Sequence, residues 1–478
     1  MIPRIRLIVG IIKGVESKHL DIYEWLNRRK GTHYSSISFE IHIIFCNFAN
    51  NINYLSPKNM IIKKYILLLT LLATAVVGKA QTGQDNMHYV GGDMSMLTQF
   101  EKQNASYFTN TGTKINDLLT FVKEQGWNTI RVRLFVDPSN DNDRGVCQDI
   151  NYVKALGKRI KDAGMLLMLD FHYSDTWADP AKQWTPADWL SLSNDALYTK
   201  IYDYTKDCLE QMNAAGATPD FIQTGNEISY GMLWGAKGSN ANRCYINNEA
   251  NWPRFTTLLK QAGKACREVC PQSKIIIHIE RVAQPDVIVN FYNQMKNKGV
   301  DYDIIGLSYY PYFHGDLNKL ETALNTVERN FDKPIQIVET GYPSQYAIGG
   351  STFDYTSTYP YTEAGQKAFT AALITLLKNH PRVNGLSWWY PEANAYGCTG
   401  DLKNGWYNAG LFNNSNGRAL DALYEMKRFH GDETGLNNIS TDATRDNAWY
   451  SIGGSKLLGK PTSTTGIFIN NGHKLLMR

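Results

Sequence analysis

The chain has 478 residues, with 49 Lys and Arg against 45 Asp and Glu and a formal net charge of +4. Residues 1–80 alone carry 11 of the basic and 4 of the acidic residues, so the remaining 398 hold 38 and 41, a net charge of −3. A slightly acidic remainder without basic runs argues against nucleic acid and other polyanions as partners, and its length suits one large α/β domain with a small appendage.

Residues 1–59 do not read as part of a globular enzyme and are expected to come from a start codon assigned too early. Met60 then opens IIKKYILLLTLLATAVVGKA, with basic Lys63 and Lys64, an apolar stretch from Tyr65 to Val77, and small Gly78 and Ala80. That is the form of a secretory signal peptide over 60–80, cleaved after Ala80, and it implies a secreted, periplasmic or cell-surface protein. The apolar stretch is shorter than the roughly 20 residues of a spanning helix, so no membrane anchor is expected. Of seven cysteines, Cys46 lies in this leader, while Cys147, Cys208, Cys244, Cys266, Cys270 and Cys398 form an even set in an exported chain. Disulfides and plain buried thiols both remain open there, and without paired CxxC spacing no zinc site is expected.

From residue 81 apolar strand patterns and helical patterns alternate. Strands are predicted at Met87–Gly91, Thr129–Phe135, Leu166–Phe171, Phe221–Thr224, Lys274–Ile279, Ile304–Ser308, Ile335–Glu339 and Gly385–Trp389. Helices follow them at Ile115–Gln125, Asn151–Ala163, Asp195–Ala214, Trp252–Val269, Gln284–Lys298, Leu317–Asn330, Tyr361–Asn379 and Ala419–Phe429. Many carry apolar residues at i, i+3 and i+4. Eight strands alternating with eight helices make an α/β protein of the (β/α)8 TIM-barrel class over 81–431. A doubly wound sheet is the alternative, but no glycine-rich phosphate loop follows the first strand. Residues 432–478 are expected to form a short β-rich tail, because apolar runs there are separated by Gly, Asn and Lys turns.

In such a barrel the chemistry sits where strands end. The fourth strand ends on Gly225, Asn226 and Glu227, and the seventh on Glu339. One strand-end Glu reads equally well as the cap of the next helix, whereas two are harder to dismiss. The same rim collects Asp93, Arg131, Arg133, His172, Asp175, Trp177, His278, Tyr309 and Trp388. Singly, Arg131 and Arg133 read as salt-bridge partners and His278 as a satisfied core histidine; together on one rim they mark a site.

A pair of carboxylates beside aromatic platforms fits glycoside hydrolysis. Pyranose faces stack on Trp and Tyr while one carboxyl protonates the leaving oxygen and the other attacks the anomeric carbon. Arg131 or Arg133 beside Glu339 would hold it ionised, and a less polar setting would keep Glu227 protonated.

Six stretches carry a resemblance: GGDMS at 91–95, GWNTIRVRLF at 126–135, LDFHYSDTWADPAKQ at 169–183, TGNEISYGMLW at 224–234, DIIGLSYYPYFHG at 303–315 and ETGYP at 339–343. They are similar to the retaining barrel glycosidases, and within that clan the chain resembles the arabinogalactan endo-β-1,4-galactanases, glycoside hydrolase family 53. The resemblance spans Tyr89 to His430, and DFHYSDTWADP is its most specific part. It implies Glu227 as acid/base, Glu339 as nucleophile and Asn226 as a donor to the sugar 2-hydroxyl. It also implies His172, Asp175, Trp177, Tyr309 and Trp388 as subsite residues, with Asp93, Arg131 and Arg133 supporting them. The implied enzyme needs no cofactor and works as a monomer on β-1,4-galactan. Some bacterial members bind calcium after the nucleophile, but residues 344–360 here hold Asp354 as their one carboxylate, so no metal is expected at that place. A related β-1,4-mannanase or glucanase, or a glycan-binding barrel without catalysis, remains the alternative. The tail resembles short sorting segments of exported Bacteroidetes proteins.

Overall fold

Apolar runs covered on both faces become the strands of a parallel sheet, and here eight of them close on themselves. They are β1 (Tyr89–Asp93), β2 (Thr129–Leu134), β3 (Leu166–Phe171), β4 (Phe221–Thr224), β5 (Lys274–Ile279), β6 (Ile304–Tyr309), β7 (Ile335–Thr340) and β8 (Val383–Trp389). Each pairs in parallel with its neighbours in the chain, and β8 closes the barrel against β1 through Gly91↔Ser387 and Asp93↔Trp389. The computed structural model describes residues 87–141, 143, 145–400 and 407–430, and in the tail 449–451, 466–470 and 473–477. The expected upstream segment at 1–59, the signal peptide at 60–80 and most of the tail at 432–478 lie outside the described residues.

The crossing helices are α1 (Leu118–Glu124), α2 (Ile150–Asp162), α3 (Asn194–Ala214), α4 (Trp252–Val269), α5 (Pro285–Asn297), α6 (Leu317–Asn330), α7 (Glu363–Lys378) and α8 (Asp421–Glu425). Side chains start five of them: Asp117, Asp149, Ser193, Asp316 and Thr362 each accept from a backbone N–H in the first turn. Each such cap is worth about 1 kcal/mol. Helix α2 buries Val153, Leu156, Gly157 and Ile160, the i, i+3, i+4, i+7 stripe of a helix lying on a sheet. A β-carbon on Gly157 would stand 3.0–3.1 Å from Leu167, Met212 and Ala217, so this contact admits no larger residue without movement.

Several boundaries differ from the sequence expectation. Strand β1 begins at Tyr89 rather than Met87, where the Asn128 side chain receives the Val90 N–H and donates to the His88 carbonyl. Helix α1 starts at Leu118 rather than Ile115 because Asp117 caps it, and Lys114–Ile115 pair instead with Tyr107–Phe108. The last predicted helix is α8 followed by a 3-10 turn, Met426–His430. Short helices at Leu97–Lys102 and Pro311–His314 carried no recognised pattern. In the tail, Gly466–Asn470 pairs antiparallel with both Trp449–Ser451 and His473–Met477. All six cysteines beyond residue 81 are free thiols, four of them buried, so bridges do not hold the barrel together. Among the described residues no helix is long and apolar enough to cross a membrane.

The inner face has an apolar floor of Met168, Phe221, Ile276, Ile304 and Val338. Two residues further along β3, β4 and β5 the same face turns polar, with Asp170, Gln223 and His278, all fully buried. Strand β7 departs from strict alternation: Leu307 pairs with Ile337 but Ser308 pairs with Glu339, leaving Val338 as a bulge. Ile335 and Ile337 pack in the outer core and Val338 in the inner floor, so with regular alternation over the same residues Glu339 would face the helices.

Candidate active site

Asn226 and Glu227 lie on the turn that ends β4. Gly225 and Glu227 both have positive φ, +111° and +49°, and a non-glycine residue there costs on the order of 1–2 kcal/mol. The turn is held by Gln183, whose amide donates to the Asn226 carbonyl at 2.7 Å, and by the Ile228 N–H bonded to His278 O at 3.0 Å. Ser308 donates to Glu227 Oε1 at 2.7 Å and lies 2.7 Å from His278 Nε2. Because the serine proton is directed at Glu227, His278 donates through Nε2, and its Nδ1 accepts from Gln223 Nε2 at 3.0 Å. Burial first, and then the Arg131 charge, hold the His278 pKa well below its ordinary value, so the ring is neutral.

Glu339 is bound from two sides. Arg131 Nη2 meets Oε1 at 2.9 Å and the Tyr310 hydroxyl donates to Oε2 at 2.9 Å. Arg131 reaches from β2 to β7 across the barrel and is itself 1 % exposed. Its fork also binds Asp93 Oδ2 at 2.7 Å, Asp170 Oδ2 at 2.8 Å and Asn226 Oδ1 at 2.7 Å. One guanidinium therefore serves three carboxylates.

That sharing corrects the sequence expectation. Arg131, not Arg133, touches Glu339, and its charge does not keep this carboxyl in the usual range. Burial, with Asp170 and Asp93 nearby, outweighs Arg131 and pushes the Glu339 pKa up to about 7. Glu227 is raised well above its ordinary value by burial, then by Glu339 and Glu280, with no arginine opposing. Burial thus raises both carboxyls, and an arginine opposes it at Glu339 alone. Asp170 goes the other way, because Arg131 and His172 overcome the cost of its burial.

Both glutamates line a cleft of about 870 Å3, together with Asn226, His172, Trp177, Tyr310 and Trp389. Trp177 stacks over the Arg133 guanidinium at 4.4 Å and donates to Asp143 at 3.0 Å. Trp389 stands 6.3 Å from Trp177 between ring centres. Arg133 also meets Asp93 at 3.2 Å, so Asp93 ties the two arginines together beneath the cleft. His172 lies between cleft and network, donating through Nε2 to Asp170 at 3.1 Å and accepting the Ala178 N–H at Nδ1.

Three expected subsite residues sit elsewhere. Asp175 braces loops, accepting from Asp137 N, Asn140 Nδ2 and Ala187 N at 2.9–3.1 Å. Tyr309 is fully buried, donates to Gly315 O at 3.0 Å and stacks on Phe369 of α7. Trp388 is fully buried and donates to Ala409 O at 2.7 Å. In both aromatic runs the following residue, Tyr310 or Trp389, faces the cleft, because successive residues point to opposite sides. The sequence reading also passed over Asp170, Gln223 and Ser308. Each is a polar residue inside an otherwise apolar strand, which is the signal that would have found it. Among the described residues no group of three or more His, Cys, Asp or Glu is placed to hold a metal ion.

Residues 89–426 match glycosyl hydrolase family 53. The chain belongs to that family. The matched region runs from the start of β1 to just past α8, so the family 53 domain and the barrel coincide. An arabinogalactan endo-β-1,4-galactanase of Cellvibrio japonicus is 31% identical over 73% of this chain and 93% of its own length. Among solved structures, the family 53 catalytic domain of Ignisphaera aggregans superposes with a TM-score of 0.63 at 31% identity, covering 71% of this chain and 96% of that one. A fungal β-1,4-galactanase gives 0.61 at 29% identity, covering 72% and 99%.

Proposed function

We propose that this family 53 protein is an exported, monomeric, retaining endo-hydrolase of β-1,4-galactosidic bonds in the (arabino)galactan side chains of pectin. The observation that carries the reading is the asymmetry of the two glutamates: Glu339 is held by Arg131 and Tyr310, and the Glu227 carboxyl by Ser308 alone among the described residues. The names of the similar proteins support the substrate class.

In the first step Glu339 attacks the anomeric carbon, the glycosidic C–O bond breaks, and the leaving oxygen takes the proton of Glu227. Ser308 occupies Glu227 Oε1, so that proton resides on Oε2. In the second step Glu227 takes a proton from water, whose oxygen displaces Glu339 and restores the original anomeric configuration. Asn226 uses one amide proton on Ala178 O at 2.8 Å and keeps the other for the sugar 2-hydroxyl. Trp177 and Trp389 offer apolar faces to pyranose rings.

Purified full-length protein is expected to release reducing sugar from β-1,4-galactan and not from β-mannan or β-glucan. The first product should carry the β-anomer by NMR. Glu227→Ala should lower kcat/KM on galactan by about 10³-fold while an aryl β-galactobioside, whose leaving group needs little protonation, loses far less. Release from mannan or glucan instead would move the substrate, equal losses on both substrates would remove Glu227 from the acid role, and binding without release would favour a catalytically silent barrel.

The pH dependence has a definite sign. The active form has Glu339 ionised and Glu227 protonated, so kcat/KM falls as pH drops through about 7 and Glu339 takes a proton. It falls again at higher pH as Glu227, which burial holds well above its ordinary value, loses its proton. A profile of kcat/KM against pH that peaks below about 5, near the ordinary glutamate range, would contradict this assignment.

A further inference from the structure

Glu280 and Arg281 directly follow β5; they line the cleft, and the mechanism does not use them. Arg281 Nε meets Glu280 Oε1 at 2.8 Å and Ser229 Oγ at 3.0 Å, and Ser229 donates to the same Oε1 at 2.6 Å. The guanidinium lies 4.1 Å over the Tyr230 ring, so the fork is fixed in direction as well as in charge. Glu280 is 6 % exposed, and its Oε2 has no hydrogen-bond partner among the described residues. A buried carboxylate oxygen left unpaired is a penalty that a bound hydroxyl removes.

The pair stands on the Glu227 side of the cleft. Ser229, which holds it, is two residues beyond Glu227, and β5 lies between β4 and the β6 residue Ser308 that binds Glu227. Glu339 is held instead from β2 and by Tyr310. If Glu227 is the group that protonates the departing oxygen, its side receives the departing chain.

We propose that Glu280 and Arg281 together bind the galactosyl unit on the leaving-group side of the cut, the acceptor Oε2 and the donor Nη groups meeting neighbouring hydroxyls of one pyranose ring. This rests on the galactanase reading above. A fixed donor beside a fixed acceptor fits vicinal hydroxyls, each of which can give and take a proton. Phe313, also lining the cleft, adds an apolar face for the same ring. The site would therefore govern which sugars can accept a galactosyl group as well as which can depart.

The test uses full-length protein with a nitrophenyl β-galactobioside as donor and galactobiose as acceptor. Water and galactobiose compete for the same galactosyl-enzyme, so the ratio of transfer to hydrolysis is independent of how fast that intermediate forms. It reads occupancy of the leaving-group side alone. Glu280→Gln and Arg281→Lys, each checked by thermal melting, should both lower the ratio by about tenfold at fixed galactobiose concentration. Parental ratios in both folded variants would overturn the inference and leave the hydrolase reading standing. No nitrophenol release by the unaltered protein would overturn both.

Discussion

Glu339→Gly is expected to lower turnover of galactan by about five orders of magnitude with the circular dichroism spectrum unchanged. The physical reason is that no other carboxylate bound to Arg131 can take its place. Asp93 and Asp170, the other carboxylates on Arg131, are fully buried beneath it. The fold should not suffer. A glutamate whose folded pKa lies above its ordinary value favours the native state at low pH, and that contribution is lost as pH rises through the folded value of about 7. At pH 8 the ionised carboxyl is therefore a burden on stability, and its removal should leave the melting temperature equal or higher. Azide, a small anion able to enter the vacated space, should restore turnover of an aryl galactoside and yield the α-galactosyl azide. A residual rate within tenfold of the parent, or a β-azide product, would remove Glu339 from the nucleophile role.

Arg131→Met should be the most destabilising single change in the barrel interior. The side chain keeps its length and loses its charge, so Asp170 and Glu339 are left as buried carboxyls without a guanidinium and Asp93 keeps Arg133 alone. Stranding buried charges in this way costs about 3–5 kcal/mol, a large part of the stability of an ordinary domain. Urea denaturation followed by tryptophan fluorescence measures it. Arg131→Lys keeps the charge but not the fork that reaches four oxygens, and should fall between parent and Met. A loss below about 1 kcal/mol for the Met variant would mean that the carboxyls take up protons at little cost and that the ionic network is not what organises the centre.

The barrel was legible because its signals are local. Leu166–Phe171, Phe221–Thr224 and Lys274–Ile279 are strands from the first to the last residue expected, each an apolar run with a turn beyond it. Trp252–Val269 and Leu317–Asn330 are helices with the expected ends, the first entered through a proline and the second capped by Asp316. Glu227 and Glu339 were visible for the same reason, as carboxylates where such runs stop.

What escaped depends on distant parts of the chain. Which of Tyr309 and Tyr310, or of Trp388 and Trp389, faces the cleft is set by strand pairing, and an aromatic run does not display it. Which arginine meets Glu339 follows from the width of the barrel, since Arg131 crosses it from β2 to β7. Asp175 belongs to a conspicuous motif and yet holds together loops from three places in the chain. The raised pKa values of the two glutamates needed the full census of charges around Arg131.

Val338 gives the β7 bulge a wider meaning. Substitution can be absorbed at many positions of a strand, but the number of residues in regular pairing cannot be changed by one without turning everything beyond it over. Between Ile337 and Glu339 the chain carries one residue more than its neighbours do, and whether that surplus is held as a bulge decides whether a carboxyl meets sugar or meets the helical jacket. The reactive centre is in this sense encoded by arithmetic as much as by chemistry. Length variation in this family should accordingly collect in the segments between elements and spare these few positions, where drawing the extra residue into regular pairing would turn the carboxyl outward without removing any part of the site.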